Sequence, residues 1–132
     1  MQVPSQSDVN APVNIGSVVQ VLKNANDADV QLPLLIPASN TVNSQIILAG
    51  GYKNIAIGMT SNQAVTLTVQ RYLDLKGLIP QGSSFSLNFT AGQSATLNIN
   101  DDKPFLSFTI AINNASANNA IISPFALVLQ AN

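Results

Sequence analysis

The chain has 132 residues, enough for one domain with a buried core, and 46% of them are hydrophobic while only 8% are charged. The net charge of −1 leaves no basic surface for nucleic acid or anionic lipid. The sequence contains no His, Cys or Glu, which excludes disulfides, Ser-His-Asp and Cys-His catalysis and ordinary zinc sites. We therefore predict a protein that is not an enzyme and that has no cofactor.

Residues 1–14 are polar, contain Pro4 and Pro12, and show no hydrophobic periodicity. They are predicted to form an extended N-terminal arm, either a frayed terminus or a segment that becomes ordered against a neighbouring subunit. The same stretch lacks the basic and apolar regions of a signal peptide. No apolar run approaches the roughly 20 residues of a membrane-spanning helix, so no membrane span is predicted.

From residue 15 onward, segments with strand character recur about every ten residues. Residues 15–22, 30–36 and 44–50 come first, and Pro33 indicates an edge strand or a bulge in the second of them. Residues 53–60 and 64–73 alternate apolar and polar side chains, and the polar turn between them predicts a hairpin. The apolar faces of these two strands are Ile55, Ile57 and Met59, and Val65, Leu67 and Val69.

Four further segments repeat the alternation: residues 83–90, 94–101, 105–113 and 121–130. Their predicted inward side chains are Phe85, Leu87, Phe89, Ala95, Leu97, Ile99, Leu106, Phe108, Ile110, Ile112, Phe125, Leu127 and Leu129. No window shows a stronger helical period. Residues 15–132 are therefore predicted to be all-β, an antiparallel β-sandwich of about eight strands with a jelly-roll or immunoglobulin-like topology.

The loop after the first predicted strand carries the best pattern for a metal ion. Oxygen ligands alternate there, and Asn26, Asp27 and Asp29 are the candidates for a hard cation such as calcium. The loop lacks the glycine and the distal glutamate of an EF-hand. We therefore favour a turn whose Asn and Asp side chains bond their own backbone, and we predict no metal.

Three side chains near the predicted hairpin are candidates for an interface. Arg71, the only arginine, follows a strand beside Tyr72 and is expected in a surface ion pair or in a contact between subunits. Tyr52 and Tyr72 are predicted to face each other as a cross-strand aromatic pair, with stacking on a sugar as the alternative.

The stretch GYKNIAIGMTSNQAVTLTVQRYLD, residues 51–74, resembles a segment of virion β-sandwich proteins of bacteriophages and related viruses. The shared pattern is an aromatic residue, a strand, a polar turn and a strand of the form LTVQ. FTAGQSATLNIND and FLSFTIAINNASANNA are similar to the following strands of that family, so the resemblance covers about residues 46–129. RYLDLKGLIP replaces the family's usual turn after LTVQ.

The resemblance implies a non-enzymatic structural protein located in a virion, either a capsid decoration (cement) protein or a minor capsid protein. Such proteins commonly form homo-oligomers, often trimers, and bind the major capsid protein or another virion protein. The alternative is a receptor- or carbohydrate-binding module of a spike or tail, in which Tyr52, Tyr72 and the Asn-rich loops bind the ligand. The absence of Trp and the inward alternation of most Phe residues favour the structural function.

Overall fold

A computed structural model describes residues 19–131 as two antiparallel β-sheets packed face to face. The strands are β1 (Gln20–Lys23), β2 (Leu35–Ile36), β3 (Asn40–Asn43), β4 (Ile47–Leu48), β5 (Asn54–Ser61), β6 (Val65–Tyr72), β7 (Phe85–Phe89), β8 (Ser94–Ile99), β9 (Ser107–Asn114) and β10 (Ala120–Gln130). The predicted all-β sandwich is confirmed. The predicted arm, residues 1–14, and most of the first predicted strand lie outside the described residues. Between residues 19 and 131 there is no helix that is long and apolar enough to cross a membrane.

The sheet order selects between the two predicted topologies. The first sheet runs β1-β10-β5-β8, with β2 also on β10, and the second runs β3-β9-β6-β7, with β4 also on β9. β1 and β2 therefore act as one interrupted strand along β10, and β3 and β4 do the same along β9. Consecutive strand positions lie in opposite sheets, apart from β6 and β7, which matches the eight-stranded jelly roll. An immunoglobulin sheet instead pairs its consecutive strands A and B.

β5 and β6 do not form the predicted hairpin. β5 pairs with β10 and β8 in the first sheet, whereas β6 pairs with β9 and β7 in the second. The short polar segment between them thus crosses from one sheet to the other. A hairpin and a crossing of this kind require the same alternation of side chains. In the crossing, the two apolar faces meet across the core instead of lying side by side.

Alternate side chains of the long strands fill the space between the sheets. Most predicted inward residues are buried, whereas Phe85, Leu87, Ala95 and Phe125 are partly buried against the core. The prediction is wrong for Leu106, whose side chain is 51% exposed. β9 begins only at Ser107, and Phe105 enters the core in place of Leu106.

The Asn-rich loop between β9 and β10 is built around a buried side chain. The amide nitrogen of Asn114 donates to the carbonyls of Ile36 and Asn118 at 3.0 and 2.8 Å. Its oxygen accepts from the backbone amide and the hydroxyl of Ser116 at 3.1 and 2.7 Å. Because the Asn114 side-chain amide has all of these partners, its burial costs little free energy. Its bond to Ile36 joins the loop to β2.

Strand pairing defines two ends of the sandwich. β10 begins at the upper end, where β5 ends and β6 begins, and it finishes at the lower end, where β6 ends and β9 begins. The loops 24–34 and 115–119 lie at the upper end. The loops 73–84 and 100–106 lie at the lower end. The candidates Asn26, Asp27 and Asp29 lie in loop 24–34, whereas Arg71 and Tyr72 end β6 and Tyr52 lies between β4 and β5.

Candidate functional site

Arg71 lies inside the lower end of the sandwich. Its side chain is 2% exposed, and its Nη1 and Nη2 donate to the two carboxylate oxygens of Asp101 at 2.7 and 2.8 Å. The rings of Phe85 and Phe105 flank the guanidinium, with centroids 5.0 and 5.3 Å from Cζ. The prediction of a surface ion pair is wrong, because position 71 continues the inward face of β6. The buried side chain is not available to a second subunit.

The ion pair has a structural role. The Arg71 guanidinium beside Asp101 lowers the pKa of that carboxyl from 3.8 to about 2, against the desolvation that raises it. Asp101 belongs to the loop between β8 and β9, so the pair ties an edge of the first sheet to the second. The Asp101 carboxylate is therefore deprotonated and paired at neutral pH, so it has no proton to donate as a general acid.

The segment 73–79 folds against the second sheet. The Asp74 carboxylate accepts hydrogen bonds from the backbone amides of Ile79, Leu78 and Lys76 at 2.9 to 3.3 Å, and these bonds lower its pKa. The Ser107 hydroxyl donates to the Asp74 carbonyl at 2.6 Å, which holds the segment on β9.

A glycine brings this segment close to β4. Gly77 has φ +69°, and a Cβ at this position would lie 3.0 Å from Cδ1 of Ile46. The absence of a side chain therefore permits both the backbone conformation and the close approach.

Seven exposed Leu and Ile side chains surround this segment, and we call them the end cluster. They are 40–74% exposed: Ile46, Leu48, Leu73, Leu75, Leu78, Ile79 and Leu106. Backbone pairing brings their elements together. Leu48 pairs with Ser107, which also pairs with Tyr72, and the Leu106 amide donates to the Tyr72 carbonyl at 2.8 Å. The end cluster therefore forms one surface at the lower end of the second sheet.

The apolar area of the end cluster is at the upper end of the range for the largest patch on a monomer. Seven roughly half-exposed Leu and Ile side chains leave on the order of 600 Å² of apolar area open, and the largest patch on a typical monomer is about 300–600 Å². A standard interface buries about 800 Å² on each partner. Apart from Leu106, none of these residues was singled out from the sequence. The sequence feature that could have identified them is the stretch RYLDLKGLIP, whose apolar residues follow no strand-like alternation.

Tyr52 and Tyr72 do not form the predicted cross-strand pair. Tyr52 lies two residues before β5 of the first sheet, and Tyr72 ends β6 in the second. Tyr52 packs against the core, and both residues are half-buried. The two rings therefore belong to different sheets and do not make the exposed aromatic platform that sugar stacking requires.

The candidate metal loop has the bonding of a capped turn. The Asp27 carboxylate accepts from the Asn24 backbone amide at 2.8 Å, and Asp29 forms an ion pair with Lys23. That hydrogen bond to Lys23 lowers the pKa of Asp29. The Asn26 side chain has no hydrogen-bond partner within residues 19–131. In the same part of the chain, no group of three or more Asp carboxylates lies close enough to hold a metal ion.

Two open clefts are lined by chemically different residues. The upper cleft, of about 510 Å³, lies between loop 24–34 and β10, and none of its lining residues is charged. The lower cleft, of about 370 Å³, is lined by charged and polar side chains next to the Arg71 ion pair, with Lys103 and Asp101 among them. The clefts would therefore select different ligands.

Comparisons with known proteins do not assign the chain to a family. No protein-family model matches it, and no curated protein matches its sequence. Solved structures with a similar arrangement include one described as TmCBM61 in complex with beta-1,4-galactotriose, at 14% identity and a TM-score of 0.41. That alignment covers 86% of this chain and 83% of the other. A likeness this weak supports no conclusion about what the chain binds.

Proposed function

We propose that this chain is a non-enzymatic structural protein of a virion that associates with copies of itself and with a shell protein. The end cluster is the observation that carries the proposal. An exposed apolar surface of this size on a small domain is typical of a protein-protein contact. A capsid decoration protein or a minor capsid protein, often a trimer, would use such a surface for contacts between subunits.

The energetics suit an assembly built from repeated contacts. Burying roughly 600 Å² of apolar surface contributes about 15 kcal/mol before the costs of association are subtracted. Those costs are of similar size, about 4–15 kcal/mol. One contact of this kind is therefore weak alone. Several contacts related by symmetry reinforce one another, as in a particle.

The overall charge agrees with this function. A net charge of −1 produces little repulsion between neighbouring copies. The jelly roll itself does not decide the function, because viral capsid proteins and lectins share it. A carbohydrate-binding module is the alternative, but it would have to use a surface other than Tyr52 and Tyr72, since these rings form no exposed platform.

The test of self-association is the mass of the full chain in solution, by light scattering after size exclusion at several concentrations. We expect an oligomer whose mass falls towards that of the monomer in Leu78→Asp, because the substitution places a charge in the end cluster. Leu35→Asp is the matched control, since Leu35 is similarly exposed but lies in β2 at the upper end. A wild-type chain that stays monomeric at every concentration would contradict self-association.

The virion assignment needs a separate measurement. We expect peptides of this chain in particles purified from its source, at a constant ratio to the major shell protein when particles are separated by density. Recovery of the chain only from fractions that contain no particles would overturn this assignment, whatever its mass in solution.

A further inference from the structure

The upper cleft lies where the edge of the first sheet is interrupted. β1 pairs with β10 from Leu127 onward, and β2 pairs with Ala120 and Ile121. Among residues 19–131, no strand pairs with residues 123–126 of β10 on that side. The pairing of β10 with β5 also shifts between Ile122 and Phe125, so the strand bulges there, and Pro124 occupies the irregular position. Loop 24–34 faces this gap and completes the cleft.

The cleft has an apolar floor and a polar rim. Ala25, Leu32 and Ile122 are buried beneath it, and the partly buried side chains of Leu34 and Phe125 line its sides. The exposed rim consists of Asn24, Asn26, Ser123 and Pro124. An apolar floor beneath a rim of hydrogen-bonding groups is the usual composition of a small-molecule site.

The rim offers neutral hydrogen-bonding groups that the protein does not use. The side-chain amides of Asn24 and Asn26 have no partner within residues 19–131, and each provides two donors and an acceptor. The charged residues of the same loop are engaged elsewhere, because Asp27 caps the turn and Asp29 pairs with Lys23. The cleft therefore gives a charged ligand no counter-charge, which distinguishes it from the lower cleft beside Lys103.

We propose that the upper cleft binds a neutral, hydroxyl-rich ligand, namely a short uncharged oligosaccharide. C–H groups of a sugar would contact the partly exposed sides of Leu34 and Phe125, and its hydroxyls would bond Asn24 and Asn26. A volume of about 510 Å³ is within the usual range of ligand sites and accommodates roughly two or three sugar rings. This binding is independent of self-association, because the end cluster lies at the opposite end of the sandwich.

The test uses the full chain labelled with ¹⁵N and titrated with a panel of uncharged trisaccharides, with sialylated and sulfated sugars as charged counterparts. We expect saturable shifts in the backbone amides of residues 24–26, 122–123 and 125–126 for at least one neutral sugar, with a Kd on the order of 0.1–1 mM. Asn26→Ala should weaken that binding about tenfold. Asn98→Ala is the matched control, since Asn98 is an exposed amide on β8 at the other edge of the same sheet.

Four outcomes would overturn the proposal. They are the absence of saturable shifts with every neutral sugar, stronger binding of the charged sugars, shifts confined to the lower cleft, or equal weakening by Asn26→Ala and Asn98→Ala. Spectra of both variants without ligand show whether the fold is retained. The mass of Asn26→Ala in solution should equal that of the wild type, which separates this result from the test of self-association.

Discussion

At the scale of single residues, the Arg71–Asp101 pair is the strongest electrostatic feature of the described chain. The guanidinium is almost fully buried between two aromatic rings, and both of its terminal nitrogens bond one carboxylate. Removing one partner of such a pair is costly because the other charge stays buried without compensation. The pair therefore holds the lower loops in place.

Asp101→Asn should lower the free energy of unfolding by about 2–3 kcal/mol, which is below the usual 3–5 kcal/mol for a broken buried pair because Asp101 itself is partly exposed. Urea denaturation measures this loss. Asp102→Asn is the control, because Asp102 forms an exposed ion pair with Lys53 at 3.1 Å and the loss of that pair should leave stability nearly unchanged. Equal losses of unfolding free energy in the two variants would show that the buried pair contributes no more to stability than the exposed one.

The same pair predicts how stability depends on pH. The pKa of Asp101 is about 2 in the folded chain and 3.8 in the reference state, so its stabilisation is complete above the higher value and is lost as the pH falls from about 4 to about 2. Asp29 and Asp74, whose pKa values are also lowered, act in the same direction. The urea midpoint should therefore fall across this window, and less steeply in Asp101→Asn. An equally steep fall in that variant would contradict the assignment.

At the scale of elements, the segment 73–79 carries more than half of the end cluster. It contains no regular secondary structure, and its shape depends on the Asp74 carboxylate, on Gly77 and on the bond from Ser107. One carboxylate that accepts several backbone amides replaces the hydrogen bonds that a strand or helix would supply.

Asp74→Ala should loosen this segment without unfolding the sandwich. We expect amide hydrogen exchange at Leu78 and Ile79 to accelerate about tenfold or more, because these amides lose their acceptor, while the amides of β6 and β9 keep their protection. Asp74→Asn retains one acceptor oxygen and should show a smaller acceleration. Unchanged exchange at both amides would mean that the carboxylate does not organise the segment.

At the scale of the whole molecule, the proposed assembly depends on apolar contact and hardly on charge. The net charge is −1, and three ion pairs occur among residues 19–131, two of them on the surface. Salt screens the attraction between exposed charges over a Debye length of about 10 Å at 0.1 M, but it does not weaken the burial of apolar groups.

Self-association of the full chain should therefore be insensitive to sodium chloride between about 0.05 and 0.5 M, and sodium sulfate should strengthen it. Sedimentation velocity at fixed protein concentration measures both effects. Leu35→Asp again serves as the reference variant and should follow the wild type. Dissociation of the oligomer by sodium chloride would indicate an interface held by charges and would exclude the end cluster as its centre.

The class of fold and most of the core could be predicted from the pattern of residues. Alternation with a period of two depends only on neighbouring residues, so it located β5 and β6 closely and placed Ile57 and Leu67 in the interior. It did not reveal β3, Asn40–Asn43, whose single hydrophobic side chain offers no pattern. The choice of partner strand also stayed open, because a hairpin and a crossing between sheets require the same alternation.

The sites were decided by tertiary structure alone. The sequence predicted that Arg71 lies on the surface. In the structure β6 directs its side chain inward, where it pairs with Asp101, thirty positions away along the chain. The end cluster joins residues of β4, loop 73–84 and loop 100–106, and the upper cleft joins loop 24–34 to the bulge of β10. Each site is made by segments distant in sequence, and the pairing of strands that unites them is a property of the packed sandwich and not of any local pattern.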